Sequence, residues 1–357
     1  MAAASSRAEA STTAGLEKSL KAAIFKAVGE PLAIETLPEP EPREGEVVVR
    51  VSRCGVCGTD LHSTSAHGYT LPAGAQLGHE YAGEVVAVGK GVERLRLGDH
   101  LAALPVVGCG RCDACRTGID VLCREWKGYG GGAAEYARVS ERGATLLPTT
   151  VSLADGALVE PLAVGRRGVR LAGPAPDARV LVIGPGPIGL AVLFWLRRAG
   201  VKSVAVLASS GRRRSLATAM GASGFVVEGE GAAAEVAAVL GGAPDIVFEA
   251  AGVPGVVARA IELVRPQGSI IALGFCTAPE PIVPAAALMK DVNLRFSIIY
   301  TREDFEACAR ALDAEAVEAR AMITDTIGLA GFPAAFEAFR AGTLGPGKLA
   351  LDPWAEA

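Results

Sequence analysis

A chain of 357 residues, half of them hydrophobic, has apolar material for about two domains of roughly 150 residues each. Its formal net charge of −4 carries no basic footprint and excludes nucleic acid as a partner. No apolar run reaches the roughly eighteen residues of a membrane span, and the hydrophobic content argues against disorder although glycine is abundant at 44.

The first twenty residues, MAAASSRAEASTTAGLEKSL, are small and polar. No apolar core follows Arg7, and Glu9 and Glu17 count against an organelle-targeting segment, so the expectation is a disordered extension over 1–20 on a cytoplasmic protein. From Lys21 short strands separated by Pro and Gly turns are predicted in KAAIFKAVG, LAIETLP, EVVVRVSRCGVC, EYAGEVVAVG and DHLAAL. EVVVRVS alternates in part, as a half-buried strand would. SLADGALVEPLAVGRRGVRLAG has helical spacing and a Ser or Asp start.

Strands and helices then alternate. RVLVIG precedes IGLAVLFWLRRAG, SVAVLAS precedes SGRRRSLATAMGA, and DIVFEAAG precedes VPGVVARAIELV, with SIIALGF closing the series. That pattern predicts an α/β fold, a doubly wound parallel sheet with helices on both faces. From about Tyr300 the chain is mixed again, with helices in REDFEACARAL and GFPAAFEAFRAG and a last strand in KLALDP. The expected organisation is a β-rich domain over 21–155 and 301–357, with a nucleotide-binding domain inserted over 156–300.

GPGPIG, holding Gly184, Gly186, Pro187, Ile188 and Gly189, has the form G-x-G-x-x-G. It directly follows a strand and opens a helix, the context in which such a turn carries a dinucleotide pyrophosphate on a helix N-terminus. The next strand ends in Ser209 and Ser210, followed by Gly211, Arg212, Arg213 and Arg214. No carboxylate stands there to hold ribose hydroxyls or repel a 2′-phosphate, and three guanidiniums with two hydroxyls suit that phosphate. NADP(H) is therefore expected ahead of NAD(H). A solvated basic turn is the plainer alternative, although cations are disfavoured where a helix begins.

Six of the eight cysteines lie between positions 54 and 123, and without a secretory signal they read as thiols or metal ligands. Cys276 and Cys308 read as ordinary buried thiols. CGRCDACRTGIDVLC spaces Cys109, Cys112, Cys115 and Cys123 for a closed, structural zinc lobe at about 105–125, and an iron–sulfur cluster is also compatible with the spacing. CGVCGTDLH, residues 54–62, could be a redox couple, half a zinc knuckle, or one metal ligand among helpers. With His79 and Glu80 of GHEYAGEVVAVG and Glu160 of ALVEPLAVG it offers thiolate, imidazole and carboxylate. Three such ligands leave a fourth position open, as catalytic zinc requires.

This order of motifs resembles the zinc-dependent medium-chain dehydrogenase/reductase superfamily, from Lys21 to the C-terminus. DVNLRFSIIYTREDF and GKLALDP look most like its polyol branch, around butanediol, sorbitol and threonine dehydrogenases. The resemblance implies a GroES-like catalytic domain, a Rossmann domain, a cleft between them and two zinc ions per chain. Cys57 and His79 correspond to catalytic zinc ligands. Glu160 stands at the third position, ahead of Glu80 as an exchanging ligand or neighbour, where many alcohol dehydrogenases have a cysteine. Thr59 and His62 match a proton relay, Asp60 would orient the ligating imidazole, and Cys54 is left as a packed strand thiol. The implied reaction moves hydride between the coenzyme and a small secondary alcohol, diol or the corresponding ketone or aldehyde. Residues 74–78, WKGYGGGAAEY and the neighbourhood of Tyr300 are expected at the cleft. A homodimer or homotetramer is expected through the strand around Leu294–Tyr300. The rival class, a non-catalytic zinc- and nucleotide-binding relative, would have lost a ligand or relay residue; none is missing.

Overall fold

The computed structural model describes residues 19–66, 69–313 and 317–356. Two sheets organise it, and the chain visits one of them twice. The first part builds β1 (Ser19–Ile24), β2 (Ala33–Pro38), β3 (Glu46–Gly55), the short helix α1 (Gly58–Ser63), β4 (Glu80–Val88) and β5 (His100–Ala103). A small lobe follows, with β6 (Val106–Val107), α2 (Asp113–Arg116) and β7 (Lys127–Gly128), and then β8 (Tyr136–Ser140) and β9 (Ala144–Leu146). β1 begins two residues before the expected start, and Leu20 is buried there against Ala22, Ile24 and Ala134. The rest of the expected extension, 1–18, lies outside the described residues.

β3 is the spine of this part. Val47, Val48, Val49 and Val51 are all buried, so the strand is covered on both faces rather than half-buried as its partial alternation suggested. The cause is its central place: β4 and β8 pair with it along its length, and the C-terminal β17 (Lys348–Leu351) pairs with its end.

The segment read as helical breaks into α3 (Leu153–Gly156) and α4 (Val159–Ala172). Ser152 caps α3, its hydroxyl accepting the Asp155 N–H at 3.1 Å. Pro161 explains the break: it has no N–H for the carbonyl four residues back and its ring crowds that carbonyl, but it sits comfortably in a helix's first turn. α4 then runs to Gly173, whose positive φ of 57° ends it.

The inserted part holds β10 (Arg179–Ile183), α5 (Pro187–Arg198), β11 (Ser203–Ala208), α6 (Arg214–Ala219), β12 (Gly224–Val227), α7 (Ala232–Leu240), β13 (Ile246–Glu249), α8 (Val256–Leu263), β14 (Ser269–Ala272), α9 (Pro284–Leu288) and β15 (Asn293–Phe296). All six strands are parallel, in the order β12-β11-β10-β13-β14-β15. Apolar side chains fill both faces, with α4 and α5 covering one and α7 and α8 the other. β12 and α7 were not anticipated: GFVVEGEGAAAEVAAVL carries a short apolar run and an alanine-rich stretch with a weak period.

The chain returns through α10 (Arg302–Asp313), α11 (Val317–Arg320), β16 (Ile323–Ile327) and α12 (Phe332–Arg340) to β17. β16 and β17 complete the seven-stranded sheet that β3 began. Among the described residues no helix is long and apolar enough to cross a membrane.

Candidate active site and coenzyme site

Cys57 leaves β3 in extended conformation and caps α1, so its thiol stands at a helix start while Cys54 stays inside the strand. Burial pushes the Cys54 thiol far above its ordinary range, the behaviour of a packed, inert side chain. The buried Asp60, one turn into α1, accepts the Cys57 backbone N–H at 2.8 Å with one oxygen and meets His79 Nδ1 at 3.3 Å with the other. One carboxylate thus fixes both the cysteine backbone and the imidazole. Burial alone would lower the His79 pKa, but Asp60 and the Cys57 sulfur outweigh it and hold the ring well above its ordinary value.

The donor atoms of Cys57, His79 and Glu80 lie within 4.8 Å of one another. Glu160, in the first turn of α4, lies outside that tight set but in the same buried neighbourhood. Burial, reinforced by Glu80, pushes its carboxyl up to about 7, although His79, Tyr300 and Lys348 pull it down. Glu80 is not free: Lys348 Nζ lies 2.8 and 2.5 Å from its two oxygens and 3.0 Å from the Val56 carbonyl. Thr59 Oγ1 is exposed and 3.6 Å from the Cys57 sulfur. His62, further along α1, is half-buried and meets the Phe275 ring edge-on at 5.6 Å.

Cys109, Cys112, Cys115 and Cys123 bring their sulfurs within 4.8 Å of one another. Backbone N–H groups already point at them: Cys109 and Glu125 donate to Cys123 Sγ at 3.3 Å, and Gly110 to Cys115 Sγ at 3.2 Å. The backbone N–H groups of Arg111 and Cys112 hold the Cys109 thiol down at about 6, whereas burial pushes Cys115 up to about 12. Four sulfurs this close share negative charge readily only around a cation, and the donor set fits tetrahedral zinc.

The glycine turn sits where the order of the parallel strands reverses, between β10 and β13. Gly184 has φ of 88°, closed to most side chains, and a Cβ on Gly189 would collide with the Gly184 carbonyl. Gly186 caps α5, with Pro187 and Ile188 opening the helix and open space beside its own Cα.

Known proteins match this arrangement. Residues 43–149 match the alcohol dehydrogenase GroES-like domain family, and residues 187–314 match the zinc-binding dehydrogenase family. The (R,R)-butanediol dehydrogenase of Bacillus subtilis is 32% identical over 77% of this chain and 83% of its own length. A crystal structure of a zinc-binding dehydrogenase from Sinorhizobium meliloti bound to NADP superposes with a TM-score of 0.85 at 30% identity, covering 94% of this chain and 100% of that one. An alcohol dehydrogenase from Escherichia coli CFT073, complexed with NADH, gives 0.86 at 28% identity, covering 94% and 99%. The chain belongs to the zinc-dependent medium-chain alcohol dehydrogenase family.

Three features of this dehydrogenase were not read from its sequence. The first is Lys348, which looked like one residue of a terminal strand. The second is Arg340 of α12, which bonds the Leu61 carbonyl at 3.1 Å and Thr64 Oγ1 at 2.7 Å and so braces the helix carrying Thr59 and His62. The third concerns the arginines after β11. Arg212 donates to the carbonyls of Gly342 (2.6 Å), Leu344 and Gly345 (3.0 Å). Arg213 donates to Pro346 O at 2.6 Å and Arg214 to Phe225 O at 2.8 Å, while Ser209 and Ser210 stay exposed. All three guanidiniums therefore hold backbone, two of them the segment leading into β17.

Proposed function

We propose that this alcohol dehydrogenase transfers hydride between NADP(H) and a secondary alcohol, vicinal diol or the corresponding ketone. In this reading catalytic zinc is held by Cys57, His79 and a carboxylate, and structural zinc by Cys109, Cys112, Cys115 and Cys123. The observation that carries it is the convergence of a thiol, an imidazole and a carboxylate, with one aspartate aligning two of them. Glu160 is the proposed third ligand at rest. Lys348 already neutralises Glu80, whereas among the described residues no cation bonds Glu160, and a buried carboxylate of that kind favours a metal. Glu80 is the exchanging partner.

When bound, the metal would supply Lewis acidity to the substrate oxygen and the coenzyme would supply the hydride site. The side chains supply the rest. Asp60 fixes the imidazole so that its other nitrogen faces the metal position. Thr59 would relay the alcohol's hydroxyl proton, taking it on its oxygen as it releases its own toward His62, and the half-buried His62 would exchange that proton with solvent. Gly184, Gly186 and Gly189 let the pyrophosphate approach the start of α5.

NAD(H) as coenzyme is the second reading, favoured by one observation: Arg212, Arg213 and Arg214 are all bonded to carbonyls. The 2′-phosphate reading requires Arg212, which is exposed, to turn from the 342–345 carbonyls toward the coenzyme. A homodimer or homotetramer through the β15 edge is also proposed, since Leu288, Met289 and Phe296 are 78, 84 and 72% exposed there. The deciding experiment is a panel of alcohols, diols and ketones assayed with NADPH and NADH alongside metal analysis. Turnover of a secondary alcohol or diol with two zincs per chain is expected; no turnover across the panel in the two-zinc protein would overturn the reading.

A further inference from the structure

α1 carries Thr59 and His62 on a helix of six residues, too short to be stable by itself. Groups from outside must therefore hold both of its ends. At the start Asp60 does so, accepting the Cys57 N–H at 2.8 Å. At the other end the last carbonyls run out of helical N–H partners. Thr64 serves the Asp60 carbonyl, with its backbone N–H at 3.2 Å and its hydroxyl at 2.7 Å. Arg340 takes the next position: Nη1 donates to the Leu61 carbonyl at 3.1 Å and Nη2 to Thr64 Oγ1 at 2.7 Å.

That arginine ends α12, 279 residues along the chain from Leu61, and its guanidinium is held on its own helix too. Nε donates to Glu337 Oε2 at 3.0 Å, and the group lies over the ring of the buried Phe336, 5.3 Å from its centroid. A planar fork fixed in this way loses little freedom when it grips two acceptors, and a cation is favoured at a helix C-terminus. The carbonyl it grips is the telling one. Leu61 O belongs to the peptide group that joins Leu61 to His62, so its direction sets where the imidazole starts. Asp60 fixes the first turn, with Cys57 and Thr59, without help from the arginine. The ring of His62 then meets Phe275, from the segment after β14, edge-on at 5.6 Å.

We propose that Arg340 is a positioning residue for the proton relay: through the peptide between Leu61 and His62 it holds the imidazole in reach of Thr59. The proposal rests on the proposed relay, in which His62 exchanges the proton of the alcohol with solvent. Arg340 itself touches neither substrate nor coenzyme in this role. Without its guanidinium the last turn of α1 loosens and His62 leaves its place, so proton exchange slows. The first turn keeps Cys57 and Thr59 where they are.

The test compares Arg340→Met, Arg340→Lys, His62→Ala and the Arg340→Met, His62→Ala double variant as zinc-loaded full-length enzymes, on an alcohol that the wild type turns over. Arg340→Met and His62→Ala should each lower kcat/KM about tenfold or more, and the double variant should be no worse than His62→Ala. Arg340→Lys, with one donor group in place of the fork, should recover part of the loss. The solvent deuterium isotope effect should rise in both single variants, and HEPES, a proton carrier that does not take zinc, should restore activity to both. A loss of fold alone responds to neither. Hydrogen exchange follows the same event without turnover: the Thr64 and Ser65 amides should exchange faster in Arg340→Met and the Asp60 amide should not. Unchanged kcat/KM or unchanged exchange in Arg340→Met overturns the proposal and leaves the relay standing. Losses that multiply in the double variant do the same, as does a zinc lost from Arg340→Met, since the arginine would then hold the whole helix. If His62→Ala is as active as the wild type, the relay fails and the proposal fails with it.

Discussion

Lys348 and Glu80 form an ion pair in the interior, the ammonium 2.5 Å from the nearer oxygen with the two side chains 1 and 0% exposed. Each is buried because the other is there. Removing one partner strands the other charge, at a cost of roughly 3–5 kcal/mol, whereas removing both charges can be nearly neutral. Lys348→Met should therefore lose about that much stability in urea unfolding, and Lys348→Met with Glu80→Gln should recover most of it. A single variant as stable as the wild type would mean that Glu80 is neutralised by something else, bound zinc being the first candidate.

Cys57 and Cys54 separate in the same way that a ligand separates from a core thiol. Cys57→Ser is expected to cut turnover by several orders of magnitude and to leave one zinc per chain. Cys54→Ser should keep two zincs and most of the activity, with a modest loss of unfolding temperature. Cys112→Ser tests the other site and should also lose one zinc. If the wild type binds a single zinc and Cys112→Ser binds none, the catalytic metal assignment is wrong.

What could be read ahead of the structure was local chemistry. GPGPIG is legible because a strand, a tight turn and a helix start must sit side by side in sequence to make the site. The clustering of the four-cysteine lobe is legible for the same reason, with all four thiols inside fifteen residues. Lys348 was not legible, since its carboxylate lies 268 residues away and a lysine in a terminal strand ordinarily reads as exposed. The arginine run was half legible. Its charge was plain, but the carbonyls of 342–346 that hold it are set by how the C-terminal segment passes the end of β11.

Glu160 gives the fold a pH dependence with a definite sign. Burial lifts its carboxyl from about 4.5 to about 7 when no metal is present, so across that window the folded protein holds a proton that the unfolded chain has released. Stability therefore falls as pH rises from about 4.5 to about 7 and is flat above it, as far as this group is concerned. With the catalytic metal removed, Glu160→Gln should flatten that slope relative to the wild type, measured as unfolding temperature against pH. With the metal bound the wild type should also lose the slope, because binding expels the proton. Parallel profiles for wild type and Glu160→Gln in the metal-depleted protein would show that the carboxylate is not protonated there.

The arginines decide the coenzyme. If Arg212 leaves the 342–345 carbonyls to meet a 2′-phosphate, Arg212→Ala should lower kcat/KM with NADPH by about tenfold or more and leave NADH nearly unchanged, since a charge-assisted phosphate contact is lost with only one coenzyme. If Arg212 and Arg213 serve only to hold the segment leading into β17, both coenzymes should weaken together, and wild-type NADH should be at least as good as NADPH. That second outcome carries a further expectation. The segment ends at Lys348, so loosening it should reach the Glu80 pair, and Arg213→Ala would then lower both activity and unfolding temperature whichever coenzyme is used. Steady-state kinetics on the wild type and the two variants, with both coenzymes, separates these cases.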